Sequence, residues 1–251
     1  MERPVIRAED YLRAVERLPP VDLAGLAQGR GLVVVAPHPD DESLGCGGLI
    51  AAACEHGVAV RLVLVSDGTG SHPNSPSWPA ERLRALRECE LAASAAILGL
   101  PASGITCLRL PDRQVPTTGP RFERAVGAVQ AAALAIAAGS VFVTWRHDPH
   151  CDHQAAFVIA RTAVAALADV RLHAYPVWGW TLPADTPLDE PAPQGGRLDI
   201  RPHLARKRRA IAAHRSQTTD LIDDDPNGFR LEPAMLARFD RPYEFFLEAT
   251  P

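Results

Sequence analysis

At 251 residues the chain exceeds the usual size of one domain, yet doubly wound α/β folds use that length around a single core. Hydrophobic residues make up 47% and charged residues 22%, enough to fill a packed interior and contrary to a disordered chain. A net charge of −4 and a pI near 6.1, with no basic stripe, argue against a nucleic-acid partner.

The one basic run, Arg206-Lys207-Arg208-Arg209, reads as a solvated helix face. Cys46, Cys54, Cys89, Cys107 and Cys151 are odd in number and scattered, with no C-x-x-C pair, so neither a disulfide framework nor a zinc knuckle is expected. The start, Met1-Glu2-Arg3-Pro4, lacks the apolar stretch of a secretion signal, and no run approaches the roughly 18 residues that span a bilayer. The expectation is a cytoplasmic protein without a membrane anchor.

In chain order, residues 32–36 (LVVVA) form a continuously apolar, β-branched run, the pattern of a strand buried on both faces of a parallel sheet. Further strands are expected over residues 58–65, 105–110, 141–145 and 170–175, separated by helical segments over 44–56, 79–98, 121–138 and 152–168. This alternation predicts an α/β, Rossmann-like, doubly wound and mostly parallel sheet with helices on both faces. Residues 66–79, 176–196 and 218–233 read as long loops, the kind that carry function or move. From about residue 201, helices and a last strand near 243–247 complete one domain spanning 1–251.

Two segments concentrate chemistry. His38-Pro39-Asp40-Asp41-Glu42 follows the first strand, and charges so crowded call for solvent or a cation; His with Asp is an ordinary zinc ligand set. His147-Asp148-Pro149-His150-Cys151-Asp152-His153 follows the strand over 141–145. Both fall at carboxyl strand ends, where open α/β sheets bind ligands. A catalytic zinc takes about three protein ligands and keeps one position open, so two from the first segment and one from the second suffice. Singly, these acids would read as helix N-terminal charges, and His56, His72, His173 and His203 as surface or hydrogen-bonded core residues. Gly45-Cys46-Gly47-Gly48 matches no phosphate-loop pattern and lies within the helix.

Residues 37–48 together with 148–153 resemble the PIG-L, or LmbE-like, family of zinc de-N-acetylases, whose signatures are HPDDE and a later H-x-D-H. Weaker echoes are Ser66-Asp67-Gly68, the Arg-x-x-Glu helix ending in Leu98-Gly99, Leu110-Pro111-Asp112, and His214-Arg215-Ser216-Gln217. Cys151 stands where many members carry proline, which loosens the turn and removes no ligand. The resemblance implies that His38, Asp41 and His153 bind Zn2+ and that Asp40 is the general base in hydrolysis of an N-acetylated amino sugar or glycoconjugate. His150 would hydrogen-bond the oxyanion or protonate the departing amine, and Asp148 or Asp152 would orient a histidine.

Asp67 and Asp112 follow strand ends and are candidates for sugar hydroxyls, or simply for turns. Arg87 with Glu90 would line the cleft or form an i,i+3 surface pair; His214 would close the pocket or sit on a helix C-terminal dipole. Two rival functions keep the same site: a metal-dependent carbohydrate esterase or phosphoesterase, and a non-catalytic sugar- or nucleotide-binding protein. The expected partner is a small-molecule substrate; the sequence leaves homo-oligomerisation open.

Overall fold

The computed structural model describes residues 5–250; residues 1–4, the start of the stretch read above for a leader, and 251 lie outside the described residues. The chain opens with β1 (Ile6–Arg7), α1 (Ala8–Val15), β2 (Pro20–Val21) and α2 (Leu23–Ala27). It continues through β3 (Gly31–Ala36), α3 (Asp41–Glu55), β4 (Val60–Ser66), α4 (Ala80–Leu98), β5 (Ile105–Leu110), α5 (Gly119–Ala135), β6 (Ala138–Thr144), α6 (Cys151–Ala165) and β7 (Arg171–Tyr175). After β8 (Pro187–Leu188) and β9 (Gly195–Asp199) come α7 (Leu204–Ala213), α8 (Arg215–Thr218), α9 (Pro233–Phe239) and β10 (Tyr243–Ala249).

Eight strands form one sheet in the order β2-β9-β10-β7-β6-β3-β4-β5, and β1 pairs with β8 alone. The block β7-β6-β3-β4-β5 is parallel throughout, as the apolar runs predict, while β10 runs antiparallel to both β7 and β9. Every residue of β3 and β6 is buried, because α3, α4 and α7 pack together and α5 packs with α6 over the parallel strands.

This order places the functional edge. The chain runs from β3 outward to β4 and β5, then returns to lay β6 on the other side of β3. Strand order reverses between β3 and β6, so the segments leaving their carboxyl ends diverge and open a crevice. The HPDDE stretch leaves β3 and the 147–153 stretch leaves β6.

Several boundaries differ from the sequence expectation. The first long helix begins at Asp41 rather than residue 44, so Asp41 and Glu42 occupy its opening turn. The helix expected to reach residue 138 stops at Ala135; Ala137 adopts a left-handed φ of 45° and Ala138 already belongs to β6. The expected loop over 176–196 contains β8 and the start of β9, short strands whose Pro and Gly content hides them from pattern reading. The glycines of α3 serve packing: a Cβ on Gly45 would lie 2.1 Å from the Tyr175 ring, and one on Gly48 would lie 2.3 Å from Ile200.

The basic run is not wholly solvated. Lys207 turns inward from α7 and its Nζ donates to Glu244 Oε1 at 2.7 Å, both side chains being buried. All five cysteines are free. Among the described residues no helix is long and apolar enough to cross a membrane.

Candidate metal centre and cleft

The turn after β3 is held by its own acids. Asp41 Oδ2 accepts from the backbone N of His38 at 2.9 Å, and Glu42 Oε2 accepts from the backbone N of Asp40 at 2.9 Å. Between them Asp40 is forced to φ 145°, a conformation that L-residues rarely adopt. Arg87 fixes the turn from α4, donating to the carbonyls of Pro39 at 2.8 Å and Gly68 at 2.7 Å and standing 3.4 Å from Asp40 Oδ2. Arg87 and Glu90 are both buried, and the surface ion pair between them does not form.

Asp41 Oδ2 is the meeting point. It lies 3.3 Å from His38 Nδ1 and 3.3 Å from His153 Nε2. His150 caps α6 and its ring stands at 4.6 Å from that of His38 and 5.3 Å from that of His153, centroid to centroid. His38, His150 and His153 therefore form one compact donor group, and His38, Asp112, His150 and Asp152 form a second that overlaps it.

Hydrogen bonds decide which atoms remain available. Asp148 Oδ2 lies 2.9 Å from His153 Nδ1 while Asp148 itself accepts from the backbone N of Val177, Trp178 and Gly179; it can only accept, so Nδ1 carries the proton. His153 Nε2 is buried without a hydrogen-bond partner and faces a carboxylate oxygen at 3.3 Å. Two lone-pair donors aimed at each other repel unless a cation or a second proton lies between them, so this donor set fits a metal ion. Without one, burial works against a charged His153, but Asp41 and Asp148 outweigh it and hold the imidazole up at about 9.

The same opposition shapes the neighbours. Burial disfavours charge on His38, yet Asp112, Asp152 and Asp41 raise it well above the imidazole range. Burial also works against ionised Asp41, and the two histidines override it, holding the carboxyl far below its ordinary range. Asp40 goes the other way: burial lifts it to about 6 against the pull of the Arg87 guanidinium, and the Asp41 charge adds to the rise. His150 is lowered to about 4 by burial and by the neighbouring His38 and His153. Its Nδ1 accepts from the backbone N of Asp152 at 3.2 Å, leaving Nε2–H as its donor.

Asp152 stands 3.2 Å from His38 Nε2, and its two oxygens also accept the backbone N of Arg113 and Val115 at 2.6 and 3.2 Å. Asp112 Oδ1 lies 3.3 Å from the same nitrogen and its Oδ2 accepts from Gly70 N at 2.8 Å. Asp67 is not a wall of the cleft; its Oδ1 ties Thr69 and the backbone of Asp112 into a turn. His214 is likewise away from the cleft, fully buried, with Nε2 2.9 Å from Glu42 Oε1.

Above this floor lies a cleft of about 330 Å³ whose far wall is Trp178, Gln217, Phe229 and Leu231. The two polar loops over residues 66–79 and 218–233 are laced over it. Asp224 and Asp225 accept from the backbone N of Ser77 and Asn74, each at 2.8 Å, and Phe229 N donates to Ser71 O at 2.7 Å.

Residues 33–164 match the family described as GlcNAc-PI de-N-acetylase, PIG-L. The chain belongs to that family. The matched region holds the parallel core from β3 to α6, both motifs included. A 1D-myo-inositol 2-acetamido-2-deoxy-alpha-D-glucopyranoside deacetylase of Rhodococcus erythropolis is 26% identical, with 77% of this chain and 83% of the relative covered. The fold is that of N,N'-diacetylchitobiose deacetylase from Pyrococcus horikoshii, at a TM-score of 0.69, 22% identity, and 95% and 90% coverage of the two chains. It is also that of a 4-carboxy-2-hydroxymuconate hydratase from Pseudomonas putida KT2440, at a TM-score of 0.61, 19% identity, and 88% and 97% coverage. One architecture thus carries two chemistries, so the sheet alone does not decide the reaction.

Reading the family motifs alone misses two groups. Glu42 looks like a helix-start charge, yet it is fully buried and binds Asp40 N, Ser94 Oγ and His214 Nε2 together. The apolar wall of Trp178, Phe229 and Leu231 comes from segments that read only as loops.

Proposed function

We propose that this chain is a zinc-dependent N-deacylase that removes an acetyl group from an N-acetylated amino sugar or glycoconjugate, and that residues 201–251 belong to the same working unit. One observation carries the reading. His38, Asp41 and His153 converge on a single point, while Asp40, next in sequence and equally buried, stands outside that convergence with its carboxylate uncommitted except to Arg87. A pure binding site has no use for a strained, spare carboxylate beside a ligand set.

In this reading His38, Asp41 and His153 hold the metal, with Asp148 and Asp152 orienting the two histidines. When bound, zinc supplies a Lewis acid that acidifies water and polarises the acyl carbonyl. Asp40 takes the proton of the attacking water; lifted to about 6, it is ionised at neutral pH yet basic enough to serve. His150 presents Nε2–H to the oxyanion that forms on the acyl carbon, the role its hydrogen bond to Asp152 N favours. Protonation of the departing amine then falls to the proton collected by Asp40.

An esterase at the same site is the second reading. It is favoured by the hydrogen bond that His150 Nδ1 accepts from the backbone N of Asp152, which keeps the imidazole neutral, since an ester leaving group needs less acid help than an amine. Metal analysis combined with an acetate-release screen over N-acetylglucosamine derivatives separates the two: zinc near one per chain with acetate released supports the deacylase, and zinc present with no acetate from any derivative overturns it.

A further inference from the structure

Asp40 is held at φ 145° by contacts on both of its peptide units. On the C-terminal side its carbonyl accepts from the backbone N of Ser43 and Leu44, each at 3.0 Å, and from Ser43 Oγ at 2.9 Å. On the N-terminal side the plane of the Pro39–Asp40 peptide is gripped at both ends. Arg87 donates to the Pro39 oxygen at 2.8 Å, and Glu42 Oε2 accepts the Asp40 N–H at 2.9 Å. The torsions between these two units set where the Asp40 side chain points. Glu42 is itself anchored. Its Oε1 accepts from Ser94 Oγ of α4 at 2.8 Å and lies 2.9 Å from Nε2 of His214, at the C-terminal end of α7. Glu42, Ser94 and His214 are all fully buried.

A backbone conformation of this kind persists only where its surroundings over-determine it. Glu42 meets donors from the strand-end turn, from α4 and from the end of α7, whereas a plain helix-start charge needs only the N–H groups of its own first turn. We propose that Glu42 is a positioning residue for Asp40: by holding the Asp40 N–H it aims the carboxylate of the base, and Ser94 and His214 hold Glu42 in place. This rests on the deacylase reading and deepens it, since a base must stand within hydrogen-bond reach of the proton it takes. Asp40 and Asp41 line the cleft and Glu42 lies behind them, so its action on a substrate runs through a neighbour. That neighbour is Asp40 rather than Asp41. Asp41 Oδ2 is held by His38 N and faces the rings of His38 and His153, while the side chain of Glu42 bonds to Asp40, Ser94 and His214.

The test is a double-mutant cycle on acetate release, with whichever N-acetylglucosamine derivative the zinc-loaded wild type hydrolyses best. Glu42→Gln keeps the side-chain shape, but an amide has one accepting oxygen and must turn N–H groups toward either Asp40 N or the Ser94 and His214 side. It should lower kcat by roughly tenfold to a hundredfold, the range expected when a reacting group is misplaced by about 1 Å, with KM and zinc content unchanged. Beside Asp40→Asn the same substitution should lower kcat no further, because the group it aims is gone. An equal factor in both backgrounds would mean that Glu42 only supports the fold and would overturn the proposal, as would an unchanged kcat. Loss of zinc would place the effect on Asp41 and overturn it too. If Glu42→Gln folds poorly, Ser94→Ala leaves Glu42 present with one anchor fewer. Its kcat should fall roughly twofold to tenfold, the net contribution of one hydrogen bond, and only beside an intact Asp40; an equal fall in both backgrounds, or none, overturns the proposal. Apart from activity, a crystal structure of Glu42→Gln should show Asp40 released from φ 145°, and retention of that angle would show that Glu42 does not set it. No acetate from any derivative with the wild type would instead overturn the deacylase reading, and the Asp40 torsion would still report whether Glu42 holds it.

Discussion

Two regions of the molecule bury charge, and they bury it differently. At the carboxyl ends of β3 and β6, His38, Asp40, Asp41 and His153 crowd together and leave bonding capacity over, with His153 Nε2 unpaired against a carboxylate. Deeper, between α3, α7 and β10, Lys207 and Glu244 are equally buried and each has its charge partner: Glu244 takes the ammonium at 2.7 Å and the backbone N of Gly48 and Leu49 at 2.7 and 2.8 Å. Burial of charge by itself marks neither function nor stability. Unspent donors and acceptors mark the place where a ligand is meant to go.

The comparison breaks hardest at the proposed metal ligands. His153→Ala should remove bound zinc and all measurable acetate release while the protein stays folded, since the sheet core does not depend on the metal. Zinc retained at wild-type stoichiometry, read by elemental analysis, would remove His153 from the ligand set. Next comes Asp40→Asn, which keeps the side-chain shape and removes the proposed base; kcat should fall by roughly 10²–10⁴ with zinc content unchanged. Loss of zinc in that variant would make Asp40 a ligand instead.

In the other region the expected effects are on stability alone. Glu244→Leu strands the Lys207 ammonium in the interior and should destabilise the protein by about 3–5 kcal/mol, whereas the double variant Lys207→Met/Glu244→Leu should recover most of that. Urea melts give the energies, and kcat of the double variant should match wild type. A catalytic loss that survives the recovery of stability would join the two regions functionally.

What was legible in the sequence follows the same division. The parallel core could be read because strands buried on both faces must be continuous apolar runs, as β3 and β6 are. Both candidate segments were legible because each sits within a few residues of a strand end, so its residues are local in the chain. Lys207 was hidden inside four consecutive basic residues; only the fold, which brings β10 back beside α3, sends one of the four inward. Glu42 and His214 stand 172 positions apart and meet through the packing of α7 on α3. The Trp178, Phe229 and Leu231 wall has no periodicity, since its residues come from the turn after β7 and the loop before α9.

The smallest effect tests the rule at its weakest point, His173. Among the histidines outside the motifs, all expected at the surface or hydrogen-bonded, His56 and His72 find partners, at Ala52 O and Ser71 Oγ. His173 on β7 does not: both ring nitrogens are buried without a partner, and the ring stacks on Phe142 at 5.0 Å. By the rule above it should mark a ligand site, yet it lies within the sheet and borders none of the best-formed cavities. Burial, with the Arg171 charge adding, lowers it to about 4 from 6.5. The unfolded chain therefore binds more protons than the folded one between those two values, and stability at His173 is lost as pH falls through that window. Urea melts at pH 7 and pH 5 should show His173→Phe losing roughly 2 kcal/mol less than wild type on acidification, the other titrating groups cancelling between the two proteins. Equal losses would show that His173 finds a partner in solution, and it would then cease to be an exception to the rule that unspent buried groups mark a ligand site.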